Sequence, residues 1–302
     1  MERFLHYASF LRGAGAVILY SLLVAHTTGC SKPQEFEYID DITSSENGTY
    51  IIVTDENGVP GDVSPGTTVG VYVVNEDGSV TYLTVEADEN GNAILPTSAL
   101  GGNIVAYSPV QDEWGEAAYA TPQMFTVKSD QSDEANYIAS DLMMGSSATA
   151  TRSEQSVMTF RHMMAKVAIH IIDEIGRTDL SQMEAELIAQ KSAVMVDLAR
   201  QSVATVRDLQ TNVVMLSKMT TDWRVSSYAI VAPQTVTDGT PFFAVTLYGT
   251  RQTYTVPQDA VLEGGKTYTI NMRLTEYGLI PDGWYITDWD DVGESMINIE
   301  IP

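Results

Sequence analysis

One cysteine stands among 302 residues, and its position gives it a chemistry. Cys30 follows a basic stretch with Arg3 and Arg12, an apolar run at residues 14–25 (AGAVILYSLLVA) and the small polar segment His26-Thr27-Thr28-Gly29. That order is an export signal, and the run is far shorter than the ~20 apolar residues a spanning helix needs. A cysteine at the cut site converts a secreted chain into a lipid-anchored one. The thiol takes a diacylglycerol, the Gly29–Cys30 bond is cleaved, and the new amine is acylated, for example with palmitate. Each buried CH₂ contributes ~0.8 kcal/mol, and two or more chains hold where one is marginal. The plainer alternative is an ordinary signal peptide followed by a core cysteine. With Cys30 used for lipid, no disulfide framework can form.

Other residues with potential chemistry are few. Beyond the signal there are two histidines, His162 and His170. On one continuous strand they would share a face but lie ~27 Å apart, too far to share a metal. A structural zinc site wants four N or S ligands, so no metal or other cofactor is expected. Asp288-Trp289-Asp290-Asp291 brings carboxylates together beside a tryptophan. A glycosidase acid and base would need such groups, but adjacent residues seldom supply both, and a polar loop around a plugging Trp is the simpler reading. The turns at 55–58, 75–79 and 88–91 (DENG, NEDGS, DENG) lack EF-hand spacing and read as steric Asn/Asp-Gly turns. There is no G-x-S-x-G, H-E-x-x-H or P-loop, and no enzyme is expected.

The elements that would position these residues read as strands. Residues 69–74 (VGVYVV) put Val69, Val71 and Val73 on one face and Tyr72 and Val74 on the other. A Gly-containing turn and a second β-rich run at 80–85 make a hairpin. Residues 242–248 (FFAVTLY) form a strand, and 267–275 (TYTINMRLT) alternate with Tyr268, Ile270, Met272 and Leu274 together. Residues 179–219 are ambiguous. Ala, Leu, Met, Gln and Glu over 181–199 favour helix, while 193–196 and 212–216 favour strand. The stretch 128–156 has a linker composition, leanest at 146–156 (SSATATRSEQS). These features predict an all-β chain with a signal peptide at 1–29, a tether at 30–45, and β domains at 46–145 and 157–302.

The charge is strongly acidic, 40 Asp+Glu against 16 Lys+Arg. Cleavage before Cys30 removes one acid and two bases (Glu2, Arg3, Arg12), leaving 39 against 14, a net −25. Such a surface repels nucleic acid and anionic headgroups, so no nucleic-acid partner is expected.

Five segments, in order, carry a resemblance. They are Asp141-Leu142-Met143-Met144; Phe160-x-His162-x-x-Ala165-Lys166-Val167-x-Ile169; Ala229-Ile230-Val231-Ala232-Pro233-Gln234; Gly265-Lys266-x-Tyr268-x-Ile270-x-x-x-Leu274; and Ile286-Thr287-Asp288-Trp289. Together with the lipoprotein signal, the chain from Cys30 to its end resembles the Bacteroidetes fimbrillins, the pilin type of type V pili. The resemblance implies two transthyretin-like β-sandwich domains in tandem and a surface-exposed outer-membrane lipoprotein. It also implies a place in a fimbrium, other fimbrial subunits as partners, and a role in adhesion. Assembly would proceed by removal of a first strand and donation of a strand from another subunit, a form of β-augmentation. The donor candidate is Met296, Ile297, Asn298, Ile299, Glu300 and Ile301, whose three isoleucines fall at every second position. The same pattern fits a last strand kept by its own domain. One departure stands out: no arginine lies between Cys30 and Arg152. An arginine-specific protease therefore has no cut site near the first strand, and an untrimmed anchor is one reading. A different class of function is a monomeric glycan-binding lipoprotein using Trp114, Trp223, Trp284 and Trp289 as stacking platforms, with core packing as the simpler use of those rings.

Overall fold

The computed structural model describes residues 48–54, 68–86, 92–96, 101–147, 156–173, 176, 178–221 and 223–289. All lie within one compact unit, Ser44–Pro302. In chain order the strands are β1 (Gly48–Thr54), β2 (Thr68–Val74), β3 (Val80–Glu86), β4 (Asn92–Pro96), β5 (Asn103–Ser108) and β6 (Gln123–Thr126). After the short helix α1 (Glu134–Ile138) come β7 (Met143–Ser147), β8 (Ser156–His162), β9 (Ala165–Asp173), β10 (Glu184–Lys191), β11 (Ala193–Asp197) and β12 (Ser202–Thr205). Then follow β13 (Gln210–Val214), β14 (Leu216–Thr221), β15 (Arg224–Val231), β16 (Gln234–Val236), β17 (Pro241–Leu247), β18 (Thr250–Thr255), β19 (Ala260–Leu262), β20 (Lys266–Thr275) and β21 (Gly278–Asp288). The protein is all-β, as its alternation predicts.

The first sheet runs β3-β2-β5-β7-β8-β1-β4, antiparallel except for the β1–β8 pair. Its inner cluster joins Val69, Val71 and Val73 to Leu95, Ile104, Ala106 and Phe160. Tyr72, Val105, Tyr107 and Met144 leave the opposite face for a second cluster, with Phe125, Val194, Val196, Ile230 and Trp289. Both faces of β2 and β5 are therefore buried, which is why β2 reads as a nearly unbroken apolar run. At Gly70 a Cβ would meet the Tyr107 ring at 2.2 Å, so glycine there lets that ring lie across β2.

The second half holds a five-stranded sheet, β14-β15-β9-β20-β21, and a four-stranded sheet, β13-β10-β17-β18. One cluster draws from both, including Val167, Ile169, Val225 and Ile270 from the first and Leu187, Val213, Phe243 and Val245 from the second. The small sheet β12-β11-β6 joins the halves, since β6 pairs with β11.

Three regions extend or differ from the sequence reading. Residues 179–219, left open between helix and strand, form β10–β14, including 193–197 and 210–214 where β propensity favoured strand. Ala185 and Leu187 alternate into the core and outweigh the helix propensity of Glu, Leu and Ala. Residues 128–147, linker-like in composition, are structured. Val127 N–H donates to Ser192 O, Val214 N–H to Ser129 O, and Gln131 N–H to Val214 O. The fully buried Gln131 side chain donates to Ile230 O and accepts from Ile230 N–H, both at 2.8 Å. It thus takes the place of a strand beside β15 before β14 begins at Leu216. Finally, His162 and His170 do not share a strand, because β8 ends at His162 and β9 begins at Ala165. Residues 157–162, expected in the C-terminal domain, pair with β7 and β1 of the first sheet.

Candidate functional site

Gly29, Cys30 and the donor candidate Met296–Ile301 lie outside the described residues, as do Asp290 and Asp291. What the structure brings together instead is most of the segments that carry the resemblance. Asp141 precedes β7, His162 ends β8, Lys166 lies in β9, the Gly264-Gly265 turn precedes β20, and Trp289 follows β21. Backbone hydrogen bonds stitch them. Met163 N–H donates to Leu142 O (2.8 Å), Gly265 N–H to Met164 O (2.9 Å), and Trp289 N–H to Gly265 O (3.0 Å). At Gly264 a Cβ would lie 2.6 Å from Met163 O, so only glycine permits this approach.

Side chains complete the junction. The His162 ring stacks on Trp289 with centroids 4.3 Å apart and planes 12° from parallel. His162 Nδ1 lies 2.8 Å from Asp141 Oδ1. Lys166 Nζ sits over the Trp289 ring at 5.4 Å and near the Tyr228 ring at 5.9 Å. Lys266 pairs with Asp288 alongside. A His–Asp pair serves hydrolysis when the imidazole faces a nucleophile in an open cleft. Here its ring is covered by indole and the residue is only 9% exposed, which suits anchoring rather than catalysis. Among the described residues no three His, Cys, Asp or Glu side chains gather to hold a metal.

The tryptophans do not form a platform. Trp114 and Trp289 are buried, Trp284 packs on Phe242 at 5.8 Å, and only Trp223 is exposed. Trp289 plugs the core between the sheets, as the simpler reading of its motif expects. Sequence reasoning singled out Asp288-Trp289 and His162 separately. It missed their contact, and Gln131 entirely, since a glutamine in a polar stretch gives no periodic signal.

Fold and junction thus define an all-β protein whose two halves are tied by a small sheet, a glutamine strap and a stacked Trp–His pair. A family model described as fimbrillin-like matches residues 48–289, and the chain belongs to that family. The model ends at Trp289, the junction's last residue. Among solved structures, a protein assigned to cell adhesion from Bacteroides uniformis is similar at TM-score 0.59 and 19% identity, over 80% of this chain and 98% of that one. Another from Bacteroides ovatus gives TM-score 0.58 and 15% identity, over 80% and 96%. A third, from Bacteroides thetaiotaomicron, gives 0.50 and 18%, over 78% and 97%. At these identities the likeness is one of fold. No curated protein matches. The family is one of structural adhesion proteins.

Proposed function

We propose that this protein is a structural subunit of a cell-surface fimbrium, pilin or anchor, carried to the outer membrane by lipid on Cys30. The observation that carries the reading is the fimbrillin-like match over residues 48–289. The core shared by the four- and five-stranded sheets, and the separate core of the first sheet, support two tandem transthyretin-like sandwiches. Boundaries near 46–145 and 157–302 remain part of the proposal, with β8 counted in the first sheet. Its partners are other fimbrial subunits, reached by strand donation.

Trp289 gives the donor idea a physical setting. Thirteen residues follow it, among them Ile297, Ile299 and Ile301. Extended, thirteen residues reach ~43 Å from a fixed point. Three buried isoleucines offer ~1.5–3 kcal/mol each before the costs of association. Ile299→Asp puts a charge where an apolar groove is expected, and should abolish incorporation into the fimbrium while leaving monomer melting unchanged. Normal incorporation of that variant would refute strand donation through this segment. Cys30→Ala should release the protein from the membrane or leave it unprocessed. A correctly processed variant still held in the membrane would refute the lipid anchor.

A further inference from the structure

The outer face of the five-stranded sheet is sorted by chemistry. Alternation sends Val225, Ala229, Ile169 and Ile270 into the core and their neighbours outward. Register then aligns the outward residues in rows across the strands. One row runs Tyr228, Ala168, Thr269, Tyr285. The next runs Ser226, His170, Asn271, Gly283. A third runs Arg224, Ile172, Arg273, Ile280. An aromatic row, a polar row and a cationic row thus lie side by side, ~6.6 Å apart, on strands spaced ~4.8 Å.

The sorting stands against the composition. The chain carries 40 Asp+Glu. Yet among the described residues, no outward ladder position of these five strands bears a carboxylate. Among the described residues, acids reach the face in ion pairs from outside the rows. Asp282, at the irregularity in β21, lies 3.3 Å from Arg273 Nε, and Glu134 of α1 lies 3.2 Å from Lys218 Nζ. Both pairs are exposed, hence weak and exchangeable. Arg224 is half-buried, and its Nε has no hydrogen-bond partner.

One ring of the aromatic row is open to a flat partner. Tyr285 is 54% exposed. It lies against Gly283, where a Cβ would meet its Oη at 3.0 Å. Tyr228 stands three strands away, ~14 Å; it is half-buried under Lys166 Nζ, and Ala168 and Thr269 between the two tyrosines are buried, so Tyr285 is the open ring of this row. His170 Nδ1 and Ser226 Oγ, 2.8 Å apart, provide polar atoms in the neighbouring row.

We propose that this face binds an acidic polysaccharide, a uronate-bearing chain. A sugar face stacks on Tyr285, and the chain's carboxylates are received by Arg224 and Arg273, whose forked donors suit that group. Charge complementarity selects an anion, and the exposed Tyr285 ring favours a sugar ring over an acidic peptide. The site is independent of strand donation, so the failure of either proposal leaves the other standing.

The test is calorimetric titration of the full chain with oligogalacturonate, with dextran as the neutral glycan and poly-glutamate as the acidic peptide. Oligogalacturonate should bind and dextran should not. Tyr285→Ala and Arg273→Gln should each weaken binding by about tenfold or more, with unchanged melting. Arg224→Gln should do the same, and Arg273→Gln carries the test if the Arg224 variant does not fold. Arg200→Gln, on an exposed turn outside the five-stranded sheet, should bind as the parent does. No binding, equal binding of dextran, equal or tighter binding of poly-glutamate, or indifference to the Tyr285 and Arg273 variants would overturn the proposal.

Discussion

His162 and Trp289, 127 positions apart in the chain, lie face to face with ring centroids 4.3 Å apart. One ends a strand of the first sheet and the other closes the last described strand of the second. Their contact couples the two halves, with Asp141 holding the imidazole at Nδ1. Trp289→Ala should therefore destabilise by about 3–5 kcal/mol, as for other buried tryptophans. His162→Ala should cost less, and the double variant less than the sum of the two. Chemical denaturation of the three variants checks this. Additive losses would mean the stacking contributes nothing of its own.

Gln131 makes the second link. Its amide satisfies both backbone groups of Ile230 and also donates to Lys128 O at 3.0 Å. Gln131→Leu keeps the bulk but leaves Ile230 N–H and C=O unpaired, each worth about 1–3 kcal/mol when buried. The variant should unfold at clearly lower denaturant. Hydrogen exchange at Ile230 should rise more than at the core of β9. Unchanged exchange there would show that the strap is not needed to hold β15.

Much of the fold was legible because alternation is a strong signal when one face is buried. The hairpin at 68–86 and strand β20 follow the sequence reading, with Gly78 at φ 82° in the expected turn. Strand β10 was not legible, whereas β11 and β13 fall where β propensity favoured strand. Propensity for Glu, Leu and Ala is local, whereas Leu187 and Val213 are set by contact with β17 and β9 across the core. An irregularity hides the alternation further: Ala189 takes φ 50° and its N–H is satisfied by Asn212 Oδ1. The junction was visible only as separate motifs. Nothing in their spacing shows that Asp141, His162 and Trp289 meet, since strand order rather than sequence distance brings them together.

A tyrosine cluster in the first half gives a pH prediction. Tyr82 Oη and Tyr107 Oη are 3.0 Å apart, and Tyr72 stacks on Tyr107 at 6.0 Å. Burial first, then the neighbouring phenols, pushes the Tyr72 and Tyr107 hydroxyls well above the ordinary tyrosine value. Burial also raises Tyr254, to about 12. The unfolded chain loses these protons first. Their contribution to stability is thus complete below the ordinary value, about 10, and is lost as pH rises from there toward the folded values. Denaturation midpoints should hold steady up to that pH and then fall. Tyr82→Phe removes one partner of Tyr107 and should soften the decline. Midpoints insensitive to alkaline pH would show that these phenols titrate normally.

The central claim is assembly through the residues beyond Trp289, and one measurement addresses it most directly. The chain truncated after Ser295 is produced beside the full chain, and both are followed by thermal melting and by their incorporation into surface fimbriae. Strand donation predicts a monomer that melts as the full chain does and enters no polymer. A truncated chain that unfolds or aggregates as a monomer would place Ile297, Ile299 and Ile301 in the core of their own domain and contradict the account.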